Sequence, residues 1–284
     1  MNASQQATLK SLNSKHLPVL PPGAPYLLKT LTDESIDFHH LARSIERFPT
    51  IAARLIALVN SAWSAPVSPL TSLEAACARL GFAVVRSTSI ALAVAAPFNP
   101  TRCPAFDAQR FWCRALLVAD TSSWLAQSAG AGHAPETVRA AGLLHNLGLL
   151  LLADQLPDET HQVLQQHNEI ADSHLERLLH DRLGFDHCDA GGLLGETWGL
   201  PAPLVTAMAH HLKAPESLSL EESSSIVGYA VTMAHAAEQQ IPWQAPDSMQ
   251  ASLGISPIEA NRLFAQVITQ LEKTRELAEI LFNT

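Results

Sequence analysis

The 284-residue chain is long enough for one large domain or two smaller ones, and its 47% hydrophobic and 16% charged residues exclude a disordered chain. Eighteen Lys plus Arg stand against 27 Asp plus Glu, a formal charge of −9 with no dense basic run. Binding to a phosphate backbone needs the opposite sign, so nucleic acid is excluded as a partner class.

The four cysteines, Cys77, Cys103, Cys113 and Cys188, form no CxxC pair and read as reduced, inert core thiols of a cytoplasmic protein. Polar Met1–Lys15 lacks the apolar centre of a secretory signal. The apolar runs Ser87–Thr101 and Ala140–Ala153 fall short of the roughly 18 residues that a spanning helix needs, so no membrane insertion is expected.

Residues 1–16 read as a flexible N-terminus. Pro18, Pro21 and Pro22 then delay helix formation to Gly23 or later, and a short helix is predicted from Ala24 to Leu31. Helical spacing of Phe38, Leu41 and Ile45 predicts a second helix over Asp37–Arg47. Pro49 opens a third, with Ile51, Leu55, Leu58 and Val59 on one stripe, and Asn60 is read as capping its exit. Thr71 and Glu74 have capping-box spacing ahead of a helix that ends at Gly81, and Phe82–Ala96 forms the fifth. Proline-rich Phe98–Pro104 is the expected boundary between two helical subdomains, 17–100 and 101–240.

A long helix is predicted over Phe106–Ser128, broken by Gly130-Ala131-Gly132. The next starts at Pro135 and delivers His145-Asn146 at its C-terminal end; Leu149–Leu156 follows and is closed by Pro157. Ser173 and Glu176 again have capping-box spacing, for a helix ending near Gly184. Asp186-His187 leads into a helix containing Gly191, Gly192 and Gly195, small residues that permit close backbone approach. After the Trp198–Pro201 turn, a helix carries His210-His211. A polar loop over Pro215–Ser225 precedes a helix from Ile226 to Gln239. In a C-terminal extension, 241–284, Ser256-Pro257 launches a closing helix with Phe264, Val267, Ile268, Leu271 and Ile280 on its apolar side. No strand pattern occurs, so the chain is read as all-α. Trp63, Trp112, Trp124 and Trp198 are expected to pack these helices together.

His145, His187 and His210 or His211 fall on three predicted helices, with Asp186 and Asp189 near them. Imidazoles and carboxylates converging in a bundle are the ingredients of a Zn, Mn or Fe site that activates water for phosphoester hydrolysis. The alternative is a satisfied polar group inside a core, where Asn146 holds a helix end by hydrogen bonds.

Several segments together resemble the HDOD domain, the HD-related output domain of bacterial signalling proteins. They are Leu17-Pro18-Val19-Leu20-Pro21, Ala57–Trp63, Ser72–Ala76 with Arg79-Leu80-Gly81, Phe111-Trp112, Gly142–Gly148, Gly184–His187 and Trp198–Pro201, in that order over about Leu17–Gln240. The resemblance implies an all-α fold whose C-terminal subdomain is related to the HD phosphohydrolases. In those enzymes a metal site uses an earlier histidine, a His-Asp pair, further histidines and a late aspartate.

Matched position by position, the earlier histidine is Arg114, the pair is His145-Asn146, and the late aspartate is Val231. What remains is His145, His187 and His210 or His211. Arg114 cannot ligate a metal and is expected to bring a repelling charge, while the carboxylates that would balance a divalent ion are missing. The resemblance with these losses implies a degenerate site that takes neither metal nor cofactor, and a non-enzymatic regulatory module that binds other signalling proteins. A reduced metal-dependent phosphohydrolase acting on a nucleotide or cyclic dinucleotide is the competing expectation.

Overall fold

The computed structural model describes residues 17–66, 68–130, 134–166, 172–213 and 222–282. The N-terminus 1–16, the Ala131-Gly132 link, most of the loop over 215–225 and the Ser173 cap lie outside the described residues or side chains. Of the described residues 75% are helical, and no strand occurs among them.

Five helices fill the N-terminal part: α1 Ala24–Leu31, α2 Phe38–Glu46, α3 Pro49–Val59, α4 Leu73–Leu80 and α5 Phe82–Ala95. Their starts are set by local chemistry. Prolines occupy the first turn of α1 and α3, where the missing N–H costs nothing. The Asp37 side chain accepts the His40 amide at 2.8 Å to cap α2. The cap of α4 is Ser72, which accepts the Ala75 amide, rather than the expected Thr71, because the helix begins at Leu73. Asn60 ends α3 as expected: its amide donates to Ile56 O and Leu70 O at 2.9 and 2.7 Å, and its carbonyl accepts the Leu70 amide at 2.8 Å. That one side chain closes the ten-residue excursion around Trp63.

The second part runs through α6 Ala108–Ala129, α7 Pro135–Leu144, α8 Leu147–Gln155, α9 Pro157–Gln166, α10 Asp172–Leu183, α11 His187–Thr197, α12 Ala202–His210 and α13 Glu222–Gln239. Two boundaries differ from expectation. Pro157 opens α9 instead of only closing α8, and Thr160 Oγ1 donates to Leu152 O at 3.0 Å to seal the joint. α13 starts four residues before Ile226, since the serines at 223–225 continue the helix.

The extension forms a short helix, α14 Asp247–Leu253, and α15 Pro257–Phe282. α15 lies along α6. Its buried positions are Ala260, Leu263, Val267, Thr274, Leu277, Ala278 and Leu281, a three-four spacing suited to near-parallel helix packing. The predicted stripe is therefore rotated: Ile268 and Ile280 are 52% and 38% exposed, and Val267 is the buried member. The four tryptophans pack as expected. Trp112 stacks on Phe282 at 4.6 Å between ring centroids, and Trp63 and Trp198 donate their indole N–H to Lys273 O and Pro18 O at 3.0 and 2.8 Å. No single helix among the described residues is long and apolar enough to cross a membrane; the apolar pair α4–α5 is bent by 114°.

The two parts are joined by buried charge. Arg86 on α5 pairs with Glu136 on α7 at 3.1 Å and donates to Asp33 O at 2.6 Å. Arg139 holds the same Glu136 at 3.0 Å and also pairs with Asp120 on α6. Both guanidiniums are buried, so the network exists only because each charge is matched.

Around the second part's core, helices approach through glycine. At Gly148 on α8, an added Cβ would lie 1.8 Å from the His187 carbonyl oxygen and 2.5 Å from the Gly191 amide nitrogen of α11. At Gly228 on α13 it would lie 2.7 Å from the His211 carbonyl oxygen. No side chain fits at either crossing.

Two outcomes follow. Gly148→Ala must push α8 off α11 and is expected to destabilise by about 3 kcal/mol or more in urea unfolding. Glu136→Ala leaves two buried guanidiniums without their shared partner and is expected to cost about 3 to 5 kcal/mol, whereas the exposed Glu272→Ala, which loses only an i,i+3 pair, should cost under about 0.5 kcal/mol.

Candidate functional site

The joint between α7 and α8 is two residues long. His145 is the last residue in helical conformation, Asn146 turns the chain, and Leu147 begins α8. The apolar flanks bury the joint, leaving His145 only 1% exposed. Its Nδ1 lies 2.6 Å from Gly142 O, and a carbonyl only accepts, so Nδ1 carries the hydrogen and Nε2 is the acceptor nitrogen of the neutral ring.

α11 presents His187 and Cys188 in its first turn. Asp186 caps that turn by accepting the Cys188 and Asp189 amides at 2.6 and 3.0 Å, and Asp189 reaches back to the Asp186 amide at 3.3 Å. This capping box explains the two acidic residues beside His187: they complete a helix end. His211 caps the C-terminus of α12, buried, with Nδ1–H donating to Ala207 O at 3.0 Å.

The structure brings His145, His187 and His211 together. The His145 and His211 rings meet edge-on at 4.8 Å between centroids, and His187 and His211 are 6.0 Å apart. Cys188 joins them, its sulfur 4.0 Å from each His211 ring nitrogen. Donor atoms of His187, Cys188 and His211 lie within 4.8 Å of one another, and no carboxylate belongs to that group among the described residues.

His210 is not part of it. Burial and the neighbouring Lys213 push its pKa down, and it is His211 that belongs to the donor group. Asn146 departs from expectation: its side chain makes no cap hydrogen bond, and its buried Oδ1 has no partner among the described residues. The α8 start is held by glycine packing and backbone bonds instead.

Arg114 also departs from expectation. Its guanidinium forks onto the half-buried Glu238 of α13, with Nε 2.9 Å from the carboxylate, so its charge is balanced locally. Val231, two turns earlier on α13, is a buried apolar wall residue. With His211, Lys213, His235 and Trp243 it lines a cavity of about 550 Å³ beside the histidines. A larger cavity of about 930 Å³ sits elsewhere, between Phe48, Phe98, Trp112 and Phe282 at the subdomain boundary.

Cys188 is the site residue that sequence reading passed over. The other three thiols fit the inert reading: burial pushes Cys77 up to about 11 and Cys113 up to about 12, and also raises Cys103. The available signal was the run Asp186-His187-Cys188-Asp189, four donor-type residues at the head of one helix.

At the positions that the resemblance matches to HD ligands, the side chains are not those of a hydrolytic centre of that type. Position 146 offers an amide oxygen, position 231 no donor, position 114 an engaged cation, and the nearby aspartates close a helix. Donors of the cluster are imidazole nitrogens and one sulfur.

Comparison with known proteins agrees with this architecture. An HDOD domain protein with unknown function from Geobacter sulfurreducens superposes with a TM-score of 0.73 at 19% identity, covering 99% of both chains. A candidate signal transduction protein from Marinobacter aquaeolei VT8 gives 0.80 at 20% identity over 98% of this chain and 66% of that one. A candidate phosphohydrolase from Shewanella amazonensis SB2B gives 0.70 at 23% identity over 98% of each. No curated protein matches. At these identities the neighbours establish the all-α fold alone. The HDOD domain family itself matches residues 17–214, well over half of the sequence, and the chain belongs to the HDOD domain family.

Proposed function

We propose that the chain is a non-enzymatic signal-transduction module that acts by binding partner signalling proteins, with its HD-type centre retained as structural core. The observation that carries this reading is the absence of any carboxylate from the buried donor group formed by His187, Cys188 and His211 among the described residues. Hard divalent ions that lower the pKa of bound water depend on oxygen ligands and on negative charge to balance their own. Asn146 supplies neither charge nor a bridging oxygen pair. Arg114 is bound to Glu238, and Val231 offers only methyl groups.

The retained His145, His187 and His211 favour the rival reading, a reduced phosphohydrolase acting on a nucleotide or cyclic dinucleotide. Charge favours the non-enzymatic reading for hard ions, because a group without a carboxylate offers Mg²⁺ or Mn²⁺ no oxygen ligand and little negative charge.

The purified protein is expected to show no metal-dependent hydrolysis of bis-p-nitrophenyl phosphate or of cyclic dinucleotides with Mg²⁺, Mn²⁺, Fe²⁺ or Zn²⁺. Asn146→Asp should remain inactive, because position 231 still lacks a donor. Turnover by the native chain that disappears in His145→Ala would establish the hydrolase instead. Because Asn146 Oδ1 is buried without a partner, Asn146→Leu should change stability by no more than about 1 kcal/mol, read from the urea midpoint.

A further inference from the structure

The cavity of about 930 Å³ at the subdomain boundary shares no lining residue with the histidine centre or with the cavity beside it. We infer that it binds one amphipathic monocarboxylate of the long-chain fatty-acid class, with the carboxylate on Arg54 and the chain along an aromatic wall.

The walls come from both parts of the chain: α3 and α5, the boundary segment from Phe98 to Phe106, and α6, α8 and α15. Trp112 and Phe282 stack 4.6 Å apart with 14° between their planes, which makes one wall flat and aromatic. Phe48, Phe98 and Phe106 extend the apolar lining. The boundary segment is held in place, since the Asn99 amide donates to Asp154 at 2.9 Å and the Ala105 amide to His161 Nδ1 at 3.1 Å. Close-packed interiors leave few voids larger than a water molecule. This one lies near the upper end of the roughly 300 to 1,000 Å³ of small-molecule sites, which favour domain interfaces.

Charge selects the head group. Among the described residues the charged side chains that line the cavity are Arg47, Arg54 and Asp107. Arg54 shares a face of α3 with Thr50 and Ile51, which also line it. Its Nη1 donates to Leu281 O at 2.8 Å, a bond that fixes the guanidinium and commits one of its five N–H donors. Arg47 lies over the Tyr26 ring, 5.1 Å from its centroid, and no carboxylate pairs with either arginine among the described residues. Asp107 is occupied at the start of α6, where it accepts the Arg110 amide at 2.9 Å. Two cations against one anion leave one positive charge, which matches a monoanion and not the several charges of a nucleotide or polyphosphate. A guanidinium fork suits a carboxylate. A short acid leaves most of the aromatic wall uncovered, so the apolar body must be long.

Dansylundecanoic acid is the probe. The full-length protein, titrated below the probe's micelle concentration, is expected to bind one equivalent in the micromolar range with blue-shifted emission. Laurate should displace the probe and raise the thermal midpoint. Dodecanol, the same chain without the charge, should compete about tenfold less well or worse. Arg54→Met should abolish that preference of laurate over dodecanol, and Arg54→Lys should keep it. Because Arg54 also holds Leu281 O, the preference, and not stability, is the readout. Leu92→Trp fills the cavity without touching a charge and should abolish binding of both competitors. Circular dichroism checks the fold of each variant.

Absence of saturable probe binding to the folded native chain overturns the inference. So does binding that survives Leu92→Trp, which places the ligand elsewhere, or equal competition by laurate and dodecanol, which removes the role of Arg54. Displacement of the probe by ATP at lower concentration than by laurate assigns a polyanion and overturns the ligand class. If Arg54→Met fails to fold, Leu92→Trp and the preference measured on the native chain still decide. None of these readouts involves hydrolysis or partner binding, so the result is independent of the function proposed above.

Discussion

Contact of backbone with backbone at two glycine crossings is the constraint from which the centre of this molecule follows. Ridge-into-groove packing normally keeps helix axes 8 to 10 Å apart, with side chains between them. Where Gly148 meets His187 and Gly228 meets His211, no side chain intervenes. The carbonyl of each histidine is the atom that faces the glycine, so ring positions inherit the precision of main-chain packing. His145 arrives by a different route, as the first half of a two-residue joint between α7 and α8. Three rings therefore meet in dry core with little freedom to separate.

Buried charge is treated differently in the two halves of the interior. Between the subdomains, Arg86, Glu136, Arg139 and Asp120 form a chain of alternating sign, and beside α13 Arg114 is matched by Glu238. The donor group of His187, Cys188 and His211 contains no carboxylate among the described residues. A donor group without carboxylates avoids the mutual repulsion that a ring of them would bring to dry core.

Much of this was legible in the sequence because it rests on short-range chemistry. Prolines 49 and 135, Asp37, Gly81 and the Gly142–Gly148 segment fixed helix starts, stops and the position of His145 within a few residues. Errors arose where one residue type has two uses. Pro157 ends one helix and begins another; Thr71 and Ser72 are both competent caps, and only the chain's path selects Ser72. Ile268 and Val267 are equally apolar, and the partner surface on α6 decides which is buried. What could not be read was anything set by long-range pairing. The link of Arg114 to Glu238, the selection of His211 over His210, and the approach of Cys188 to His211 each join segments more than twenty residues apart or depend on a ring's direction.

The tryptophan and arginine anchors that join the ends of the chain have a kinetic meaning. Pro18 O receives Trp198, Lys273 O receives Trp63, and Leu281 O receives Arg54, bonds that span 180, 210 and 227 residues. Such closures raise contact order, and their loop entropy must be met before the contacts reward it. On a ribosome, α3 and the Trp63 excursion emerge long before α15 exists to receive them. These segments, which carry Arg54 and Trp63, must wait, with part of their apolar surface uncovered, until α15 has emerged. Closure of these contacts therefore comes late, and the stretch between is the interval in which the fold depends on protection from other chains.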